Sequence, residues 1–99
     1  MWYAIEGYDT DGALARRGEH RPAHLQRLMA LRDEGRLLLA GPCPAIDAED
    51  PGPAGFSGSI VIAEFPSLAD ARAWADADPY ASGGVYARTE VRPFKPVLP

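Results

Sequence analysis

Ninety-nine residues, 46% of them hydrophobic, suffice for one domain around a core and are too few for a catalytic domain plus a separate cofactor domain. The 14 acidic and 10 basic side chains leave a formal charge of −4 with no basic stripe, so neither nucleic acid nor an anionic membrane surface is the expected partner. A chain of this length buries only about 60–70% of its unfolded surface, so association with a second copy would add to a modest stability.

The start, Met1-Trp2-Tyr3-Ala4-Ile5-Glu6, has no basic leader and meets an acid at once, unlike a signal peptide. Its apolar run falls far short of the roughly 20 residues that span a bilayer. The single cysteine, Cys43, lies between Pro42 and Pro44 and cannot form an intrachain disulfide. It reads as a passive loop thiol, and the cytoplasm is the expected compartment.

Residues 2–8 are aromatic and aliphatic and end at Asp9-Thr10-Asp11-Gly12, which predicts a strand closed by a turn. Residues 13–34 change to helical spacing. Leu25, Leu28, Met29 and Arg32 form one stripe, with His24, Leu28 and Leu31 along its edge, and Gly35 stops the helix. Pro22 sits comfortably only in a first turn, so either the helix begins there or residues 13–18 form an earlier turn and the helix is kinked.

Leu37-Leu38-Leu39-Ala40 predicts a second strand ending at Gly41-Pro42. Residues 42–55 hold four prolines, Gly52 and Gly55 and no apolar period, which predicts a long loop fit to be a lid or rim. Residues 59–65, with Ile60, Val61 and Ile62, predict a central third strand. Ser67 offers an N-cap with Asp70 three residues on, Leu68, Ala71, Arg72 and Ala75 form a helical face beside Trp74, and Asp78-Pro79 ends that helix. Residues 85–91 alternate as a strand, with Tyr86, Arg88 and Glu90 on one face.

The order βαββαβ with right-handed crossovers predicts an α+β fold, the ferredoxin-like plait, as a single domain over residues 1–99. A four-stranded antiparallel sheet carries both helices on one face. The other face is uncovered. Trp2 and Tyr3 point to opposite faces, so one aromatic reaches the open side, and a homodimer packed sheet to sheet is expected.

No phosphate loop, CxxC or HExxH motif occurs, so neither a cofactor nor a metal is expected. His20 and His24 are four apart, but Pro22 between them makes a helical zinc pair a poor reading. His24 alone has two readings: a half-buried imidazole bonded to a backbone carbonyl, or a general base or acid. Asp78 also has two. It caps the turn after Pro79, or it holds an imidazolium, since Asp76 and Asp78 otherwise sit at the disfavoured negative end of a helix. If the first helix starts near Ala13 and the second near Ser67, His24 and Asp78 both lie eleven residues along roughly parallel helices, at one level. If the first starts at Pro22, an offset of about 13 Å separates them. Ser57 and Ser59 at the third strand read first as structural hydroxyls.

Several segments together resemble the YciI-like (YCII-related) proteins: Arg21-Pro22-Ala23-His24-Leu25, Gly35 to Pro42, Gly55-Phe56-Ser57-Gly58-Ser59, Trp74, Asp76-Ala77-Asp78-Pro79-Tyr80, Gly84-Val85-Tyr86 and Val91-Arg92-Pro93-Phe94-Lys95. The resemblance runs over nearly the whole chain. It implies a ferredoxin-like fold, a dimer, and a catalytic histidine and aspartate that fall on His24 and Asp78. Ser59 and Tyr80 are the expected substrate-binding positions. One relative is associated with dehydrochlorination of a ring compound, so the resemblance points to elimination or isomerisation of a small molecule by proton transfer. The reading from another class is a dimeric binding protein that takes a metabolite without turning it over.

Overall fold

The computed structural model describes residues 1–99. Strand β1 (Trp2–Asp9) leads through Gly12 into helix α1 (Leu14–Asp33). Strand β2 (Leu37–Pro44), a single 3-10 turn (Gly52–Ala54) and strand β3 (Phe56–Glu64) follow, then helix α2 (Leu68–Asp76), the one-turn helix α3 (Pro79–Ser82) and strand β4 (Tyr86–Phe94). The strands lie in the order β2-β3-β1-β4, every pair antiparallel. Tyr3, Ile5, Val61 and Ala63 on the sheet pack with Leu28 and Leu31 of α1 and Ala71 and Ala75 of α2, so both helices cover one face. The fold is the ferredoxin-like α+β plait. No helix is long and apolar enough to cross a membrane.

Helix α1 runs unbroken through Pro22. A proline inside a helix removes one N–H and crowds the carbonyl four residues back. Here that residue is Gly18, which is solvent-exposed, so water can take the freed carbonyl. The helix therefore starts at Leu14 rather than at Pro22, and His20 and His24 are both helical. At the other end Gly35 takes a φ of 72°, its N–H donates to the Arg32 carbonyl at 2.9 Å and that of Arg36 to Leu31 at 2.9 Å. The residues that α1 buries are Arg17, His24, Leu28 and Leu31, while Met29 is exposed. The expected stripe through Met29 and Arg32 is thus turned toward its His24 edge. Ser67 caps α2 as expected, its Oγ accepting from the Asp70 N–H at 3.1 Å.

Several strand boundaries, and one strand face, differ from the sequence reading. Strand β2 extends to Pro44, with Pro42 opposite Ser59 and Cys43 opposite Gly58. Prolines are tolerated there because β2 is an edge strand. Strand β3 correspondingly begins at Phe56, and the connecting loop shrinks to residues 45–55. In β4 the register shifts between Tyr8 and Asp9, so that Tyr8 faces Arg88 but Asp9 faces Tyr86. The extra residue, Ala87, inverts the alternation. Tyr86 therefore lies on the helix side with Tyr80 and Val85, not with Arg88 and Glu90.

The open face keeps Trp2, Ala4, Glu6 and Tyr8 half-exposed along β1. Glu6 pairs with Arg92, and Arg88 pairs with Glu90 and lies 3.9 Å from the Tyr8 ring centre.

Two glycines expose the fold to a direct test. A methyl on Gly7 would stand 2.4 Å from the Tyr86 ring, whereas one on Gly18 would meet nothing within 4 Å. Gly7→Ala is expected to cost about 1–3 kcal/mol in urea denaturation. Gly18→Ala should stabilise by roughly 0.5–1 kcal/mol, and a loss there would contradict an unbroken helix.

Candidate active site

Because α1 begins at Leu14, His24 and Asp78 stand at one level. His24 Nδ1 lies 2.8 Å from Asp78 Oδ1, with both side chains more than nine-tenths buried. Asp78 is also the N-cap of α3, its Oδ1 accepting from the Tyr80 N–H at 2.9 Å. The capping reading of Asp78 holds, and the same carboxylate also lies within hydrogen-bond distance of the imidazole. Its second oxygen, Oδ2, accepts from Arg27 Nη1 at 3.0 Å. Burial pushes the Asp78 pKa up, but the hydrogen bonds from His24 and the Tyr80 N–H and the charges of His24 and Arg27 outweigh it, leaving it below the ordinary 3.8.

The carboxylate also settles which end of the imidazole is free. With Nδ1 committed to an acceptor, the neutral ring carries its proton on Nδ1 and its lone pair on Nε2. Tyr80 fixes the plane: its ring stacks on His24 at 3.9 Å and 11°, and Tyr86 closes on Tyr80 edge-on at 5.6 Å. Tyr80 is raised above the ordinary tyrosine value by burial, and burial pushes Tyr86 up to about 12. Both hydroxyls are therefore protonated at neutral pH, and that of Tyr80 donates to the Arg17 carbonyl at 3.4 Å.

His24 opens onto a cavity of about 210 Å3 between α1 and strands β2 and β3. Arg17, Arg21, His24, Leu25 and Leu28 line it from the helix, Ala40, Gly41 and Pro42 from β2, Ser59 and Val61 from β3, and Tyr80 from α3. Arg17 is the polar anchor of the wall. Its Nε and Nη2 grip Asp9 at 2.6 and 2.9 Å, and Nη2 also reaches the Gly58 carbonyl at 2.9 Å and Ser59 Oγ at 2.8 Å. Burial pulls the Arg17 pKa down, but Asp9 raises it further, so the guanidinium stays charged.

Of the residues expected from sequence, His24, Asp78, Ser59 and Tyr80 are brought together. Ser57 is not: it is exposed and donates to the Cys43 carbonyl at 3.4 Å. The long loop is not the rim of this cavity. Because β2 runs on to Pro44, the rim is Ala40–Pro42, and the loop instead walls a separate hollow with Asp11 and Gly12. His20 turns away from His24, its ring lying against Gly83. Arg17, Arg27 and Asp9 escaped the sequence reading. Arg17 and Arg27 stand seven residues before and three after His24, on neighbouring positions of one helix face, and that spacing was the available signal.

A ferredoxin-like domain with a buried histidine–aspartate pair opening on a small cavity defines the class. Residues 1–95 match the family described as the YCII-related domain, and the chain belongs to that family. It is 60% identical over 98 residues to Protein YciI of Escherichia coli and of Shigella flexneri, covering 99% of this chain and 100% of each relative. An uncharacterized protein of Haemophilus influenzae is 52% identical over the same length. Among solved structures, 5-chloro-2-hydroxyhydroquinone dehydrochlorinase (TftG) of Burkholderia phenoliruptrix, in complex with 2,5-dihydroxybenzoquinone, superposes with a TM-score of 0.82 at 26% identity, covering 96% of this chain and 94% of that one.

The lowered pKa of Asp78 sets a pH dependence. A carboxylate depressed in the folded state contributes stability that is complete above its unfolded value, near 3.8, and is lost as pH falls through the folded value. The wild type should therefore lose stability from roughly one unit above that value downward. Asp78→Asn should be less stable at neutral pH by about 1–3 kcal/mol. It should also show a flatter acid limb in melting temperature against pH, and parallel limbs would refute the assignment.

Proposed function

We propose that this protein is a small enzyme that moves a proton with its own side chains, His24 as base and acid and Asp78 as its orienting partner. The observation that carries this reading is the 2.8 Å Nδ1–Oδ1 contact, buried, at the wall of a cavity. With the proton of Nδ1 held by Asp78, Nε2 removes a proton from a substrate carbon, and the carboxylate stabilises the imidazolium that forms. The electron pair of the broken C–H bond then forms a double bond. In an elimination the leaving group departs with its own pair and Nε2 passes its proton to solvent. In an isomerisation Nε2 returns the proton to a different atom. Ser59 and Tyr80 are the substrate-binding positions: Ser59, held by Arg17, lines the cavity from β3, and Tyr80 walls it under the imidazole.

The dehydrochlorinase of similar fold makes loss of chloride from a hydroxylated ring the first reaction to assay. The working form in this proposal is a homodimer in the cytoplasm, packed through the open sheet face, where Ile60 and Leu39 are exposed beside half-exposed Trp2, Ile62 and Phe94.

Chloride release and solvent-deuterium exchange into chlorinated and hydroxylated rings test the chemistry. His24→Ala is expected to lower either rate by at least about a hundredfold while leaving the sedimentation coefficient unchanged. Ligand affinity that changes in His24→Gln, with no product formed by the wild type, would make this a binding protein instead. A monomer at micromolar concentration in sedimentation velocity would remove the dimer.

A further inference from the structure

The charges around the cavity do not balance, and the surplus has a sign. Asp9 neutralises Arg17 through two contacts, and Arg27 neutralises Asp78. Arg21 is on the cavity wall, pairs with no carboxylate, and no acidic side chain lines that wall. A chain of formal charge −4 thus surrounds this one cavity with a net positive charge.

Arg17 adds a directed donor. It is 94% buried, since only 6% of its surface remains exposed, yet Nε and Nη2 carry all its hydrogen bonds and Nη1 carries none. No buried side-chain nitrogen or oxygen in the chain lacks a partner, so Nη1 keeps an open side, and the cavity is what Arg17 lines.

We propose that the cavity binds a small monoanionic organic molecule, its anionic group held by Arg21 and Arg17 Nη1 and its apolar body against Leu25, Leu28 and Pro42. The inference rests on the proton-transfer reading only for the role of His24, not for the binding. Positions 17, 21 and 24 lie along one face of α1, so the anionic group stands about 5–10 Å from the imidazole by the 1.5 Å rise per residue, the span of a single substituted ring. The anionic group is a carboxylate or an ionised ring hydroxyl. Both offer oxygens that a guanidinium fork recognises.

Titration of the protein with benzoate, with its neutral counterpart benzamide, and with 4-nitrophenol tests this. Benzoate is expected to perturb the Arg17 Nε–H resonance saturably and to bind at least tenfold more tightly than benzamide. The 4-nitrophenolate absorbance band should grow on binding, and the tighter of the two anions identifies the group recognised. Arg21→Gln, at an exposed position, should keep the melting temperature while bringing benzoate down to the benzamide level, and Arg21→Lys should recover part of the difference. Equal binding of benzoate and benzamide, no binding of either anion, or benzoate affinity unchanged in Arg21→Gln overturns the proposal. Anion binding by a protein that releases no chloride and exchanges no deuterium with chlorinated and hydroxylated rings would instead overturn the enzymatic reading and leave this one standing.

Discussion

One carboxylate ties this structure together. Asp78 stands between the end of α2 and the start of α3, and it grips α1 through His24 and Arg27. Its Oδ1 serves two donors, the imidazole and the Tyr80 N–H, and its Oδ2 a third. A buried anion with one donor would be costly; with three it is held charged. The same bond that caps Tyr80 therefore places the Tyr80 ring against the imidazole. Cap, ion pair and stack are one arrangement rather than three.

Arg27 extends that arrangement outward. Its guanidinium lies 4.4 Å from the Trp74 ring centre, and Trp74 packs in turn against Phe65 of the main core. The second core, Ala13, Tyr80 and Val85 with Tyr86, lies on the other side of the pair. The site thus sits at the seam of two apolar clusters, where side chains are fixed by packing from both directions. An imidazole in such a seam has its orientation set on folding rather than at the moment a ligand meets it.

The strand and helix order was legible in the sequence because period-two and period-3.6 segments alternate cleanly between turn residues. The pairing of His24 with Asp78 was legible too, but only conditionally. It required α1 to pass through Pro22, and local rules put a proline in a first turn. What the local rules do not contain is that Gly18 faces water, so the lost hydrogen bond costs little there. The bulge at Ala87 was hidden for a related reason: alternation in one strand does not report where its partner strand slips. The edge position of β2, which lets Pro42 and Pro44 remain in the sheet, follows from pairing between distant segments. Arg17 was missed because, next to Arg16, it reads as part of a solvated pair, and only the fold brings Asp9, Gly58 and Ser59 to it.

Gly7 leaves the sheet bare beneath Tyr86, whose ring would collide with a Cβ there. Above it stand Tyr80, edge to face, and then the imidazole, face to face. The height of the imidazole over the sheet is therefore a stacking distance, counted in rings from a floor of backbone. Any change in the thickness of a lower ring resets where Nε2 meets the cavity, although it touches neither His24 nor Asp78. That column is a means by which the reach of the imidazole into the cavity can be altered from below, leaving His24, Asp78 and Arg17 themselves in place.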